Sequence, residues 1–238
     1  MSVKTLKIDG KDVAAEAGST ILQAAQDAGI SIPTLCYLEG VSPAAACRMC
    51  LVELVGSSKL QPACHTEVAE GMEVHTNTPK LQSFRRMNIE LIFAEGNHVC
   101  AVCVANGHCE LQDLAVRLEM DHSRFPYRFP KRAVDISHPQ FGIDHNRCIL
   151  CTRCVRVCDE IEGAHVWDVA QRGEYCFIAS GMNQPWGAVE ACTSCGKCVD
   201  GCPTGAIFRK GSDIGEKEGD RAKLAFLVTA REKHQWTR

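Results

Sequence analysis

The chain opens with a strand-like pattern. In "VKTLKIDGKDV", Val3, Leu6 and Ile8 are the apolar positions and Asp9-Gly10 is a hairpin signal. The next stretch, "STILQAAQDAGI", reads as a helix that Ser19 or Thr20 can cap and Gly29 can end. Strand-rich pieces return at "CLVELVG" and "GMEVHTNT", so residues 1–78 are expected to form one α+β unit. Thr78 and Pro79 then suit the cap and first position of a second helix. Its expected apolar face is Leu81, Phe84, Leu91 and Ile92, and Gly96 is its expected stop. In "CELQDLAVRLEM", Leu111, Leu114, Ala115 and Leu118 follow the i, i+3, i+4, i+7 spacing of a buried helix stripe. The stretch "RFPYRFPKRAVD", with two prolines and Arg124, Arg128, Lys131 and Arg132, reads as an irregular linker carrying solvated charges, or else as a partner-docking surface. The last 28 residues start polar at "GSDIGEKEGDR" and turn helical through "AKLAFLVTAREKHQW". Leu224, Leu227 and Val228 are too few for a core of their own. That helix either packs on its own domain or anchors on another subunit.

Composition changes this picture in one respect. The hydrophobic share of 45% includes 16 cysteines among 238 residues, and aromatics are only 6%, so conventional core material is thin. The start has no apolar signal-peptide core, and "LAFLV" is far too short to span a bilayer, so a soluble, cytoplasmic protein is expected. Thiols stay reduced there, and dense cysteine then points to metal rather than disulfides. A net charge of −3 argues against a generic nucleic-acid binder, which would be basic.

The cysteines fall into three blocks. In the third, "CILCTRCVRVC" and "CTSCGKCVDGCP" are both C-x2-C-x2-C-x3-C, the bacterial ferredoxin run for [4Fe–4S] clusters, in which the fourth cysteine serves the other cluster. This assigns Cys148, Cys151, Cys154 and Cys202 to one cluster, and Cys192, Cys195, Cys198 and Cys158 to the other. Each fourth cysteine is expected at the start of a helix. Block one, Cys36, Cys47, Cys50 and Cys64, shares the C-x2-C core and distant cysteine of plant-type [2Fe–2S] ferredoxins, with a longer first gap. A four-cysteine zinc site is the alternative there. Block two, "HVCAVCVANGHC", supplies only Cys100, Cys103 and Cys109, which three-cysteine zinc with a histidine also explains. A fourth ligand has three candidates. His108 is next to Cys109 and in an extended chain would point the other way. Cys176 has a strand-like setting that suits a buried structural cysteine. His98 is two residues before Cys100, and in an extended segment the two share a face, so His98 is favoured.

A [2Fe–2S] block, a one-histidine/three-cysteine segment ending "CELQ" and a double four-cysteine run together resemble the N-terminal part of the large iron–sulfur subunit of respiratory complex I and the front end of clostridial-type [FeFe]-hydrogenases. A chain of this size carrying all three is similar to the gamma (small diaphorase) subunits of NAD-reducing soluble [NiFe]-hydrogenases. The resemblance implies a plant-type ferredoxin-like (β-grasp) domain at 1–78, a helical [4Fe–4S] segment at 79–120, a linker at 121–137, a 2×[4Fe–4S] ferredoxin-type domain at 138–210 and a tail at 211–238. It implies one [2Fe–2S] and three [4Fe–4S] clusters relaying single electrons. The implied partners are an FMN- and NADH-binding diaphorase subunit and the small and large subunits of a [NiFe] hydrogenase, which would hold the FMN and the Ni–Fe centre. A relay subunit of an NAD-dependent formate dehydrogenase or complex I-like assembly, or a free ferredoxin-like carrier, are the alternatives. The chain shows neither a G-x-G-x-x-G fingerprint nor a Walker motif. In one respect it departs from the family: the usual H-x3-C spacing would put the block-two histidine at Gly96, whereas His98 gives H-x-C.

Overall fold

A computed structural model describes residues 2–217. The expected C-terminal helix, with Leu224, Leu227 and Val228, lies outside the described residues.

The first hairpin forms as expected: β1 (Val3–Ile8) pairs antiparallel with β2 (Lys11–Glu16). Helix α1 (Ile21–Asp27) starts at Thr20, and not at Ser19, because Thr20 and Gln23 cap each other reciprocally. Strands β3 (Leu51–Leu54), β4 (Gln61–Pro62) and β5 (Glu73–His75) complete a five-stranded sheet in the order β2-β1-β5-β3-β4, with β1 and β5 parallel. α1 lays Ile21, Leu22, Ala24 and Ala25 into one core with Leu6, Ile8, Val52 and Val74. Cys50 and Cys64 belong to that core.

Helix α2 (Pro79–Glu95) is capped by Thr78, whose side chain accepts from the Leu81 amide. Its buried face is only partly the one expected. Leu81, Arg85, Ile89, Glu90 and Ala94 are buried, while Phe84 and Leu91 are exposed and Ile92 is partly buried. Two charged residues take the inside because each finds dedicated partners. Arg85 donates to the carbonyls of Met49 (2.9 Å) and Leu51 (2.8 Å), and Glu90 accepts from Arg86 (3.1 Å) and Arg124 (2.8 Å). Helix α3 (Glu110–Arg117) buries Leu111 and Leu114, with Ala115 and Leu118 packed beside them.

The proline-containing linker is irregular as expected, with Arg124, Arg128 and Lys131 exposed. Its arginines are engaged rather than simply solvated: Arg124 with Glu90, Arg128 with Glu174, and Arg132 with the carbonyl of Cys176 (3.0 Å). The segment folds back on the end of α2, where the Arg128 amide donates to the otherwise spare carbonyl of Ala94 (2.9 Å). It ends in β6 (Val134–Asp135), which joins β7 (Phe141–Asp144) and β10 (Ile207–Arg209) in a three-stranded sheet. Between β7 and β10 lie α4 (Arg153–Arg156), which continues as a wider helical turn over Val157–Glu162, the hairpin β8 (Trp167–Ala170) and β9 (Phe177–Ser180), and α5 (Lys197–Gly201).

The three cysteine blocks share a core. Leu35 and Met49 from the first, Ile89, Cys103, Ala105, Cys109 and Leu111 from the second, and Ile149 from the third pack together. Leu38 and Val41 meet Val157 and Ile161 in a smaller cluster that joins the first block directly to the third. No helix among the described residues is long and apolar enough to cross a membrane.

Candidate metal centres

The block-one loop winds tightly between Cys36 and Cys50, with Ala45 and Arg48 in the left-handed region (φ 49° and 56°). Such conformations are uncommon for residues with a Cβ. The turns bring four thiols within hydrogen-bonding reach of one another. The Cys36 amide donates to Cys47 Sγ at 3.4 Å. Thiol donation from Cys47 and Cys64 holds Cys36 far below the ordinary thiol range, and the same bonds push Cys47 and Cys64 up. Cys50 is lowered chiefly by its bond from Cys64. A metal ligand must be a thiolate, and Cys36 and Cys50 are the two thiols that these bonds lower. Arg85 grips the carbonyls of Met49 and Leu51 on either side of Cys50 and so fixes the backbone of the loop.

The repeat in block three is also a repeat of conformation. Leu150 and Thr152 are left-handed (φ 52° and 58°), and so are their counterparts Ser194 and Gly196 (φ 57° and 73°). Each pair bends the C-x2-C-x2-C loop so that its thiols turn inward. The charges that act on Cys154 are those of Cys151, Cys148, Cys202 and Cys198, and those that act on Cys198 are Cys195, Cys158 and Cys192. Cys158, Cys192, Cys195 and Cys198 line one small cavity, and Cys202 is among the thiols that act on both Cys151 and Cys154. The expected position of the fourth cysteine needs correcting. Cys202 follows the last residue of α5, and Cys158 lies inside the wider helical turn that continues α4, so neither sits at the start of its helix. One helical turn from the third cysteine to the fourth is what carries the latter across to the neighbouring set. Burial pushes the thiols of Cys148 and Cys151 up, to about 12 and about 11. Without a metal these sites prefer the neutral thiol.

An aromatic wall backs the second set. Trp186 Nε1 donates to Cys192 Sγ at 3.3 Å, and the Val166 amide donates to Cys158 Sγ at 3.3 Å. His138 is buried and accepts at Nδ1 from the amides of Gln140 and Phe141 (3.1 and 3.2 Å), which places its proton on Nε2, facing Ser194 Oγ at 3.1 Å and Cys192 Sγ at 3.8 Å. Hydrogen bonds of this kind to cluster thiolates raise reduction potentials.

In block two, Cys100, Cys103 and Cys109 line a small cavity together with His98 and Phe93. Cys100–Val102 is a tight helical turn, not an extended segment, so His98 and Cys100 do not meet by strand alternation. Gly96 shows how the histidine arrives. A Cβ on Gly96 would lie 2.4 Å from His98 Nε2, so the imidazole fills the space into which a side chain at position 96 would project. Gly96 is extended (φ −115°), so room for the ring, not backbone freedom, is what glycine provides there. Desolvation, helped by Arg147, lowers His98 to about 4, leaving a neutral imidazole. Of the other candidates, His108 is exposed and does not line the cavity. Cys176 is half-exposed rather than buried, its thiol directed at the Gln171 carbonyl (3.5 Å).

Among the described residues, no three His, Cys, Asp or Glu side chains converge as they would round a single ion. A cluster asks for less, since each of its irons takes only one or two protein ligands. The surroundings fit such a group. The Nε atoms of Arg153 and Arg156 are buried donors without a partner among the described residues, and both arginines act on Cys151. A donor left over beside a thiolate set is available to a bound cluster's sulfur.

Three family models match in chain order: a 2Fe-2S iron-sulfur cluster binding domain over residues 3–79, the NADH-ubiquinone oxidoreductase-G iron-sulfur binding region over 85–124, and the ferredoxin-like domain of NADH-quinone oxidoreductase subunit 3 over 139–208. An NADH-quinone oxidoreductase subunit of Rhizobium meliloti is 42% identical over 84% of this chain, which covers only 23% of that protein. The gamma subunit of the NAD-reducing hydrogenase HoxS of Cupriavidus necator is 39% identical, with 97% of each chain covered. The chain belongs to the family of NAD-reducing hydrogenase gamma subunits. A chain in the crystal structure of NAD+-reducing [NiFe]-hydrogenase in the H2-reduced state superposes with a TM-score of 0.84 at 33% identity, over 89% of both chains. The α+β architecture of this gamma-subunit relative thus comprises a [2Fe–2S] ferredoxin domain, a second iron–sulfur region and a ferredoxin-like domain.

Several residues that shape the sites of this family member are invisible to spacing arguments. Arg153 and Arg156 stand between the cysteines of "CTRCVRVC", at positions the motif leaves open, yet they are 4% and 8% exposed. Arg153 makes a bidentate pair with Glu110, next to Cys109, at 2.7 and 2.9 Å, and so links blocks two and three. Gly205 does the same by its lack of a side chain, since a Cβ there would lie 2.4 Å from Cys103 Sγ. The one signal in the sequence is two arginines three apart in a cysteine-rich helix.

Proposed function

We propose that this chain is the electron-relay subunit of an NAD-reducing hydrogenase, standing between a flavin diaphorase and a [NiFe] module. What supports the reading is that Cys158, Cys192, Cys195 and Cys198 line one cavity and His98, Cys100, Cys103 and Cys109 another, with residues of all three blocks meeting round one shared core. We assign Cys36, Cys47, Cys50 and Cys64 to a [2Fe–2S] cluster. Three [4Fe–4S] clusters go to His98, Cys100, Cys103 and Cys109; to Cys148, Cys151, Cys154 and Cys202; and to Cys192, Cys195, Cys198 and Cys158. The corresponding units are 1–78, 79–120 and 138–210, with 121–137 as a strap between the last two. When bound, such clusters take up and release single electrons with little rearrangement, at potentials set by ligand, hydrogen bonding and exposure. The protein's part is to bury the thiolates, hold their loops in left-handed turns, and aim N–H donors at chosen sulfurs. The neutral His98 imidazole removes one negative charge from its set, which favours a higher potential there, as histidine does in Rieske centres.

The reading calls for about fourteen irons per chain, and for a flavoprotein and a nickel protein as native partners. Capture of a molybdenum protein instead would overturn the partner assignment. The ligand set of the middle centre has its own test. His98→Ala should abolish one [4Fe–4S] signal in electron paramagnetic resonance, and His98→Cys should shift it to lower potential, the other three signals persisting in both. Four unchanged spectra would place the fourth ligand elsewhere.

A further inference from the structure

Arg156 connects two candidate centres that lie far apart in the chain. It projects from α4 and is 8% exposed. Nη1 donates to the carbonyl of Ser42 at 2.7 Å, and Nη2 donates to the carbonyls of Cys36 at 2.6 Å and Cys151 at 3.1 Å. Cys36 and Cys151 belong to different ligand sets, the first paired with Cys47, Cys50 and Cys64, the second with Cys148, Cys154 and Cys202. Glu160, one turn on, grips Ser42 from the other side, accepting from its amide at 2.8 Å and from its hydroxyl. Leu38, Val41, Val157 and Ile161 pack as a buried apolar cluster beside the junction.

Joining carbonyls does not by itself call for a charge, since a neutral amide could donate to two of them. A buried guanidinium is costly unless negative charge lies near it. Burial lowers the Arg156 guanidinium from its ordinary range, and the sulfurs of Cys151 and Cys36 on its two sides act to hold its charge. Its planar fork also holds three acceptors in one plane, which a lysine ammonium cannot.

We propose that Arg156 is a positioning residue that locks the Cys36 loop to the Cys151 loop and lends both sets one shared buried positive charge, so that the two centres shift in potential together. The inference rests on the cluster assignments proposed above. A fixed positive charge near both sets favours the reduced, more negative state of each, and low-dielectric surroundings strengthen that effect.

The test uses the full chain with its clusters loaded, in wild type, Arg156→Gln and Arg156→Lys, by mediated redox titration followed by electron paramagnetic resonance. In Arg156→Gln the reduced-to-oxidised ratio at a fixed potential should fall about tenfold at both the two-iron centre and the Cys148/Cys151/Cys154/Cys202 centre, about 59 mV for a one-electron couple. The His98 centre and the Cys158/Cys192/Cys195/Cys198 centre should stay put. Arg156→Lys, which keeps the charge and loses the fork, should return both ratios to within about threefold of wild type. The proposal fails if only one centre moves, if all four move alike, or if none moves. Should Arg156→Gln not load its clusters, Arg156→Lys decides: loading with near-wild-type ratios supports the shared charge, and loss of loading or a tenfold fall overturns it. A wild type without a two-iron signal would instead sink the cluster assignment itself.

Discussion

Stripping the iron from the folded protein, by chelation or oxidation, should unfold it in a single cooperative transition. Each of the three larger apolar clusters contains candidate ligands: Cys50 and Cys64 in the first, Cys154, Cys158 and Cys198 in the second, Cys103 and Cys109 in the third. The metal would therefore sit inside the core material. Structural metal sites in small domains contribute about 10–16 kcal/mol, comparable to the whole net stability of a typical domain at about 5–15 kcal/mol. Burial also raises thiols such as Cys109 and Cys151, each to about 11, so ligand binding has to displace protons and is favoured as pH rises. Circular dichroism recorded alongside iron content checks this. Helical signal and iron should disappear together, and faster at pH 5 than at pH 8. An iron-free chain with the native spectrum would show that packing alone suffices.

Gly205→Ala should cost the middle centre and spare the others. The added methyl would stand 2.4 Å from Cys103 Sγ, 3.4 Å from Val104 Cγ2 and 3.5 Å from Ala105 Cβ. The backbone cannot easily retreat. The Glu110 amide holds the Pro203 carbonyl at 3.0 Å, Thr204 Oγ1 holds the Arg147 carbonyl at 2.9 Å, and the Gly215 amide holds the Cys103 carbonyl at 3.2 Å. Iron should fall from about fourteen to about ten per chain, with loss of one [4Fe–4S] signal. Gly211→Ala is the control: its φ of +83° makes the substitution strained, but nothing lies within 4 Å of the new methyl. It should keep all four signals. A Gly205→Ala protein with full iron and four wild-type signals would mean that Cys103 does not need the space.

Individual positions show how far a sequence reading reaches here. Thr78 and Pro79 start α2 as the local rules require, because a cap depends only on residues within one turn. Apolar spacing misplaces the inner face of α2 at Phe84 and Leu91. It cannot show that Arg85 will find the carbonyls of Met49 and Leu51, contributed by a different unit. The linker's charges escape it for the same reason, since Arg124 is matched by a carboxylate 34 residues away. Strand alternation selects His98, yet the structure brings it to the cavity another way, through the room left by Gly96.

The sequence by itself determined the chemistry and the number of candidate ligands, the C-x2-C loops, the hairpin and the helix starts. These are local matters, because two or three intervening residues keep thiols within reach whatever the remaining fold. Only the tertiary structure decided how the three blocks lock together. It placed Arg153 on Glu110, Gly205 against Cys103, and Arg156 between Cys36 and Cys151. These three contacts, that of Arg156 counted to Cys36, join residues 43 to 120 positions apart. Their specificity comes from matching buried groups to chosen backbone, side-chain and carboxylate partners, and no spacing along a chain encodes which partner will be there.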